Sequence, residues 1–158
     1  MTADTLIING VECEPYLTID HRLMLERGHE LMVGTQILMK ALGVSRGIIG
    51  IENNKKDAIK YLKKLSNEYQ GIEIHPLKVK YPQGGEKQLI KSILGREVPS
   101  GGLPIAVGTV VQNVGTTIAV YEAVQKNKPL VERAVTVSGL EVQKPINVIA
   151  RIGTPVKD

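Results

Sequence analysis

Residues 5–15, Thr5-Leu6-Ile7-Ile8-Asn9-Gly10-Val11-Glu12-Cys13-Glu14-Pro15, join an apolar strand to a polar loop. In open α/β sheets, ligands bind beyond the carboxyl ends of the strands, which is where this loop lies. The glycine allows a tight turn, and the proline fixes the direction in which the chain leaves the loop. The amide and carboxylates of Asn9, Glu12 and Glu14 suit a ligand with hydroxyl and amide groups better than a bare phosphate. A plain polar loop explains the same stretch, so the rest of the chain has to decide between them.

The composition indicates one domain with an aliphatic core. A chain of 158 residues can bury a sizeable core, and this one has no Phe or Trp to place in it. No apolar run approaches the roughly 18 residues that span a bilayer. The first residues, Met1-Thr2-Ala3-Asp4, lack the charged-then-apolar pattern of a secretory leader. We therefore expect neither direct membrane insertion nor secretion.

Cysteine and histidine usage argues against metal chemistry within this chain. Cys13 is the single cysteine, which excludes an internal disulfide and suits a reducing compartment. An iron–sulfur cluster needs about four ligands, mostly cysteine, so none is expected here. No base or second cysteine is close in sequence to activate the Cys13 thiolate, which predicts a small packing residue. His21, His29 and His75 lack metal-ligand spacing, and no metal site is predicted.

The positive charge of the chain is mild and has a structural explanation. The formal net charge is +4, and many of the lysines fall in residues 54–65, where Ala58, Ile59, Leu62 and Leu65 repeat with helical spacing. Lys56, Lys60, Lys63 and Lys64 then lie mainly on the solvent side of an amphipathic helix. Nucleic-acid binding favours arginine or aromatic residues between the lysines, so we expect no nucleic-acid partner.

Predicted strands and helices alternate along the first 129 residues. Apolar runs predict strands at residues 6–9, 47–51, 71–79 and 107–111. Helical spacing and helix-boundary residues predict helices at residues 23–42, 54–65, 88–94 and 116–124. This order predicts a right-handed, doubly wound parallel sheet, which is a Rossmann-like three-layer α/β sandwich.

Individual residues refine these elements. Asp20 is a candidate N-cap of the first helix, and Gly43 marks its end. The glycines at positions 47 and 50 allow a helix to approach the second strand closely. Pro76 predicts that the third strand lies at a sheet edge or contains a bulge.

The pattern changes after Pro129. Residues 134–139 and 147–152 predict the two strands of a hairpin, joined by a long connection. Gly153-Thr154-Pro155 has the residues of a helix start, with Thr154 as cap. Because the chain ends soon afterwards, at Asp158, we expect the sequence to be part of a longer protein.

Three polar loops are predicted to converge at one edge of the sheet. They are residues 9–15, 84–86 and 112–113, and each follows a strand or precedes a helix. Gly84 and Gly85, at a helix start, offer backbone N–H groups to an anion, although the pair also suits an ordinary turn. Gln112 and Asn113 are equally able to cap the helix that follows them.

Four long segments carry a family resemblance. In chain order they are NGVECEPYLTIDHRLMLE (9–26), KYPQGGEKQLI (80–90), GREVPSGGLP (95–104) and VVQNVGTT (110–117). Together they resemble the C subunit of the Rnf electron transport complex, a ferredoxin:NAD oxidoreductase, and they also resemble the flavin- and NADH-binding subunit of respiratory complex I. The resemblance covers nearly the whole chain. It implies that residues 1–129 are an FMN/NAD-binding α/β domain and that residues 130–158 begin a soluble-ligand-binding β-grasp (SLBB) module.

The resemblance also implies cofactors and site residues. FMN would exchange a hydride with NAD(H) and single electrons with 4Fe-4S clusters, so no side chain needs to act as a catalytic nucleophile or general acid. Asn9 and Glu12 would lie beside the isoalloxazine ring and ribityl chain, and Glu14 would face the nicotinamide. The remaining implied cofactor-binding residues are Gly84, Gly85 and Glu86 in the second loop, and Gln112, Asn113 and Thr116 near the ribityl and phosphate end.

Several departures from the family pattern concern this chain alone. The family's glycine-rich flavin loop would precede Thr5, and its cluster-binding cysteines would follow Asp158. Lys87 and Val11 stand where the complex I subunit has acids. We therefore expect these 158 residues by themselves to bind FMN weakly or not at all.

The implied function is that of a subunit on the cytoplasmic side of an ion-pumping membrane complex, peripheral to the membrane and in contact with the other Rnf subunits. One alternative is a soluble relative that delivers electrons to another enzyme, such as a cobalamin-reductase-like or proline-reductase-associated protein. A second alternative is a non-catalytic interaction module with a vestigial flavin crevice.

Overall fold

The structure is a computed structural model that describes residues 2–156. Its strands are β1 (Thr5–Gly10), β2 (Gly47–Glu52), β3 (Ile72–Leu77), β4 (Thr109–Asn113), β5 (Glu132–Val137) and β6 (Ile146–Arg151). Its α-helices are α1 (Ile19–Glu26), α2 (Gly28–Leu42), α3 (Lys56–Ser66), α4 (Glu86–Leu94) and α5 (Val114–Lys126). A 3₁₀ turn, Pro104–Val107, precedes β4.

The first four strands form one parallel sheet in the order β3-β2-β1-β4. Successive side chains of a strand point to opposite faces, and β1 shows this clearly. Leu6 and Ile8 pack into a core shared with α1, α2, α3 and α5. Ile7 packs on the other face, against Leu89 and Ile90 of α4. The predicted three-layer α/β sandwich is confirmed.

Close helix–sheet packing at the two glycines of β2 is also confirmed. A Cβ added to Gly47 would lie 2.8 Å from Sδ of Met39 in α2. A Cβ added to Gly50 would lie 3.3 Å from Leu89 Cδ1 in α4. Every residue of β2 is buried, as expected for a strand covered on both faces. β3 lies at the sheet edge, as Pro76 predicts.

The predicted single helix over residues 23–42 is wrong. The chain forms two helices, and Arg27, with φ −129° and ψ 34°, breaks the path between them. Gly28 then packs so closely on Tyr61 that a Cβ would lie 2.5 Å from Tyr61 Cε1. The junction between the two helices therefore packs directly against α3. The predicted helix end at Gly43 is confirmed, since Gly43 has the left-handed conformation.

Three smaller predictions need correction. Thr18, not Asp20, precedes the first helical residue of α1. The strand predicted to begin at Val107 begins at Thr109, because residues 104–107 form the 3₁₀ turn. No helix begins within residues 154–156, and the remainder of that predicted helix lies outside the described residues.

The last two strands form the predicted antiparallel hairpin. It contacts the α/β domain beside α1, where Asn147 Nδ2 donates to Thr18 Oγ1 over 3.0 Å and the Thr18 N–H donates to Thr136 Oγ1 over 3.3 Å. Ser138 Oγ donates to the Tyr16 carbonyl oxygen over 3.3 Å. The hairpin is therefore attached to the same loop that follows β1. Among the described residues, no helix is both long enough and apolar enough to cross a membrane.

Candidate functional site

The three polar loops meet at the carboxyl edge of the parallel sheet, as predicted. β1 pairs with β4 so that Asn9 lies opposite Asn113. Asn9 Nδ2 donates a hydrogen bond of 2.8 Å to the Gly84 carbonyl oxygen, which joins the first loop to the second. Gly84 is packed so tightly there that a Cβ would lie 2.5 Å from the Val11 carbonyl oxygen. The sequence positions 9 and 84 are thus held together by direct contact.

Glu12 is a buried helix cap. Its Oε1 accepts a hydrogen bond of 2.8 Å from the backbone N–H of Asp20, and its Oε2 accepts one of 3.4 Å from the N–H of His21. These are amides of the first turn of α1, which would otherwise lack partners. The residue is only 8% exposed. Glu12 therefore fixes the position of α1 relative to the first loop.

Asn113 and Asp20 continue this polar connection. Asn113 Oδ1 accepts a hydrogen bond of 2.8 Å from the Gly115 N–H, so Asn113 caps α5. Its Nδ2 donates to Asp20 Oδ2 over 2.8 Å. Burial raises the pKa of Asp20 to about 6, and the nearby charge of Glu12 adds to the rise, while the hydrogen bond from Asn113 opposes it. The sequence indicated Asp20 only as a helix cap, and its place at this edge was missed.

A cavity of about 410 Å³ opens at the carboxyl ends of β1, β2 and β3. Glu12 and Glu14 line it from the first loop, and Tyr81 lines it from the segment after β3. Glu14 is exposed, and Tyr81 is 72% exposed. This combination of an accessible carboxylate and an aromatic ring suits a planar, hydrogen-bonding ligand.

The implied site residues do not all line one cavity. Asn113 lines a second cavity of about 250 Å³, enclosed by α1, α5 and the hairpin. The first turn of α1 and its cap contribute Thr18 and His21 to the cavity beside Glu14, and Ile19 and Asp20 to this second one. The expected single slot is therefore divided at the start of α1.

The second loop and the start of α5 contribute mainly backbone groups to the candidate site. Gly85 immediately precedes α4 and has no side chain, so it provides no cap for the N–H groups of the first turn. Glu86 is exposed at this helix start. Gln112 and Thr116 are half-buried. The neighbouring Thr117 hydroxyl, not that of Thr116, donates to the Asn113 carbonyl oxygen over 2.9 Å.

Two charged residues at this edge were not predicted from the sequence. Glu52 ends β2 and is 2% exposed, and Lys55, at the start of α3, is 7% exposed. Lys55 Nζ lies 3.3 Å from Glu52 Oε2. A carboxylate directly after a predicted buried strand was the available indication for Glu52, and Lys55 was not among the lysines predicted to lie on the solvent side. Lys56, Lys60, Lys63 and Lys64 are exposed, as predicted.

Comparison with known families identifies the family to which this fold belongs. The model of the Nuo51 FMN-binding domain matches residues 1–122. The chain belongs to the Nuo51 FMN-binding domain family. The matched region contains all four strands of the parallel sheet, and with them the carboxyl edge where the loops meet.

The chain is also similar in sequence to curated C subunits. The chain is 52% identical over 155 residues to the C subunit of the proton-translocating ferredoxin:NAD(+) oxidoreductase complex of Clostridium ljungdahlii. It is 46% identical over 152 residues to the C subunit of the Na(+)-translocating ferredoxin:NAD(+) oxidoreductase complex of Acetobacterium woodii. These alignments cover 98% and 96% of this chain. The predicted resemblance is confirmed.

The chain is much shorter than these relatives. It spans 34% of the length of each of the two. It spans 22% of the C subunit of the ion-translocating oxidoreductase complex of Yersinia enterocolitica, to which it is 48% identical over 96% of its own length. Among solved structures, NAD+-reducing NiFe hydrogenase in the H2-reduced state superposes with a TM-score of 0.81 at 24% identity, over 96% of this chain and 31% of that one. That superposition supports the fold.

Proposed function

We propose that the chain is part of the FMN- and NAD(H)-binding subunit of an Rnf-type ferredoxin:NAD oxidoreductase. Residues 1–129 form its flavin and dinucleotide domain, and residues 130–158 begin a β-grasp (SLBB) module. The subunit is peripheral on the cytoplasmic side of the membrane and binds the other subunits of the complex. The 4Fe-4S clusters that exchange electrons with it lie outside this chain. The single observation that carries the proposal is the contact between Asn9 and Gly84, which joins two loops of the family's flavin-binding domain at the sheet edge.

The residues at this edge suit FMN. The ring and ribityl chain of FMN need several hydrogen-bond partners, and its phosphate suits the N-terminus of a helix. The N–H groups of Gly84 and of the first turn of α4 are available for these contacts, together with the carboxamide of Gln112. When bound, FMN supplies the chemistry, because it accepts a hydride and releases single electrons.

The side chains of the site have different roles in this proposal. Asn9 and Asn113 hold the loops in place, because their side chains are already bonded to Gly84, Gly115 and Asp20. Glu12 orients α1 through its hydrogen bonds to the first turn. Glu14 and Glu86 are exposed, so their carboxylates can accept hydrogen bonds from the nicotinamide or ribose of NAD(H). Thr116 completes the ribityl and phosphate end.

The proposal is tested by mixing NADH anaerobically with the flavin-loaded, full-length polypeptide that carries this chain. NADH is expected to bleach the flavin absorbance in a single turnover. Glu14→Gln should raise the NADH concentration for half-maximal bleaching rate by about tenfold, which is the scale of one lost hydrogen bond to a charged group. The amount of bound flavin should not change.

Glu141→Gln is the matched control, because Glu141 is an exposed glutamate on the hairpin. Its NADH dependence should be that of the wild type. A flavin-loaded protein that NADH does not bleach would contradict the proposal, and equal NADH dependence in wild type and Glu14→Gln would remove the role given to Glu14.

A further inference from the structure

Glu52 and Lys55 form a buried charged pair at the floor of the 410 Å³ cavity. The exposed fractions of their side chains are only 2% and 9%. Burying two charges costs desolvation free energy, which good geometry and additional hydrogen bonds have to offset. The geometry of this pair is the feature that calls for an explanation.

The hydrogen bonding of the pair is incomplete. Within residues 2–156, Glu52 Oε1 is the one buried side-chain nitrogen or oxygen atom without a hydrogen-bond partner. Lys55 Nζ has only long contacts, at 3.3 Å to Glu52 Oε2, 3.5 Å to the Glu12 carbonyl oxygen and 3.5 Å to Asn54 Oδ1. A buried carboxylate oxygen without a partner is unfavourable. The free acceptor and the loosely held donor lie beside each other.

The pair lies where a ligand of this fold would be. Glu52 ends β2 at the carboxyl edge of the sheet, and Glu52, Lys55, Glu14 and Tyr81 line the same cavity. The core does not need this pair, because the rest of β2 packs apolar side chains such as Ile49 and Ile51. A ligand group that donates and accepts would complete both partners at once.

We propose that Glu52 and Lys55 form a binding subsite for a hydroxyl group of the flavin or dinucleotide ligand. Glu52 Oε1 accepts the O–H, and Lys55 Nζ donates to the oxygen of the same or the adjacent hydroxyl. This chemistry is offered by the ribityl chain of FMN and by the ribose of NAD(H). The inference rests on the proposed function, and the pair has its own role within it, which is to position the ligand and not to transfer electrons.

The test uses the full-length polypeptide and a double variant, Glu52→Met with Lys55→Met. Removing both charges together avoids an unpaired buried charge, which would threaten folding. Glu52→Gln is a second, more conservative variant that keeps the shape of the side chain. The matched control is Arg46→Met with Glu73→Gln, which removes an exposed ion pair with Nε–Oε1 at 3.1 Å beside the opposite ends of β2 and β3. Circular dichroism verifies that each variant is folded.

Titrations with three ligands show which bound molecule provides the hydroxyl group. FMN and lumiflavin, which lacks the ribityl chain, are titrated by flavin fluorescence, and NADH is titrated against the FMN-loaded protein. If the ribityl chain occupies the subsite, the double variant should bind FMN about tenfold or more weakly, with unchanged lumiflavin affinity. If the ribose occupies it, the NADH affinity should fall by a similar factor at unchanged FMN affinity. Glu52→Gln should show the same selectivity, and the control pair neither effect.

Either selective loss supports the subsite. Folded double and Glu52→Gln variants that bind FMN, lumiflavin and NADH like the wild type would overturn it, because the pair would then be structural and the free oxygen satisfied by water. A wild-type protein that binds neither FMN nor NADH would overturn the proposed function itself, together with this inference. The wild-type titration therefore distinguishes the two failures.

Discussion

Glu12 and Glu14 are two residues apart in the same loop, yet the fold uses them differently. Glu12 is buried against the first turn of α1, and Glu14 is exposed at the cavity. The sequence predicted that both carboxylates belong to the carboxyl edge of the sheet. It did not predict the cap, because the helix that Glu12 caps begins several residues later and its direction depends on tertiary packing. The buried pair of Glu52 and Lys55 was missed for a similar reason.

Replacing Glu12 with alanine should destabilise the protein, whereas replacing Glu14 should not. Glu12→Ala leaves two amides of α1 without their acceptor, at a cost of about 1–2 kcal/mol in the free energy of unfolding. Glu14→Ala changes an exposed residue and should cost less than about 0.5 kcal/mol. Urea denaturation measures both. Equal stabilities of the two variants would show that the hydrogen bonds of Glu12 do not matter for folding.

The raised pKa of Asp20 predicts a pH dependence of stability. Its pKa is about 6 in the folded protein against a usual value of 3.8, so the folded state binds the proton more tightly than the unfolded state. Ionisation of Asp20 therefore penalises folding. The penalty is absent below pH 3.8 and complete above pH 6.

Comparison of wild type with Asp20→Asn isolates this effect, because asparagine can still accept the hydrogen bond from Asn113. Between about pH 4 and pH 7, the free energy of unfolding of the wild type should fall relative to the variant by up to about 3 kcal/mol. Chemical denaturation across this range measures the difference. A difference that does not change with pH would contradict the burial of the Asp20 carboxylate.

Among the elements, the buried strands were the most predictable and the junction of α1 and α2 the least. Strands covered on both faces are continuous apolar runs, as in residues 47–51 of β2. The apolar spacing of residues 23–42 continues through Arg27, which is itself a good helix former. Gly28 is a weak local sign of the break, because a single glycine lowers helix propensity but is tolerated inside helices. The break depends on how Gly28 packs against Tyr61 of α3.

Gly34 provides a test of how closely helices α2 and α5 pack. A Cβ at this position would lie only 2.2 Å from the Thr117 carbonyl oxygen in α5. Gly34→Ala should therefore force the helices apart and lower the free energy of unfolding by about 1–3 kcal/mol, despite the better helix propensity of alanine. Ala41→Ser, on an exposed position of the same helix, should cost about 0.5 kcal/mol or less. A stabilised Gly34→Ala variant would contradict the packing.

The hairpin and the α/β domain meet beside the candidate site. The two strands of the hairpin were predictable from alternating apolar residues, and their attachment to Thr18 and Tyr16 was not. Likewise, the convergence of the three loops follows from parallel strand order, since the carboxyl ends of parallel strands share one edge. The division of that edge into two cavities by α1 depends on side-chain contacts between distant residues.

Asn147→Ala should loosen the hairpin from α1. Its carboxamide bonds to Thr18 and Thr136, and losing these contacts is worth about 1 kcal/mol of local stability. Hydrogen exchange should then be several-fold faster at the hairpin amides and unchanged in β1 and β2. Lys144→Ala, an exposed position in the hairpin connection, should leave exchange unchanged. Uniformly faster exchange across the sheet would contradict a local attachment.

We propose that FMN binds at the joined loops of the carboxyl edge. Titration of FMN with the full-length polypeptide, followed by flavin fluorescence, tests it directly. We predict saturable quenching, with a rise in melting temperature of about 5–10 °C at roughly 100 times the dissociation constant. Asn9→Ala, which loses the contact with Gly84, should weaken FMN binding by at least about tenfold. Absence of quenching and of any melting shift in the wild type, or an FMN affinity unaffected by Asn9→Ala, would contradict the claim.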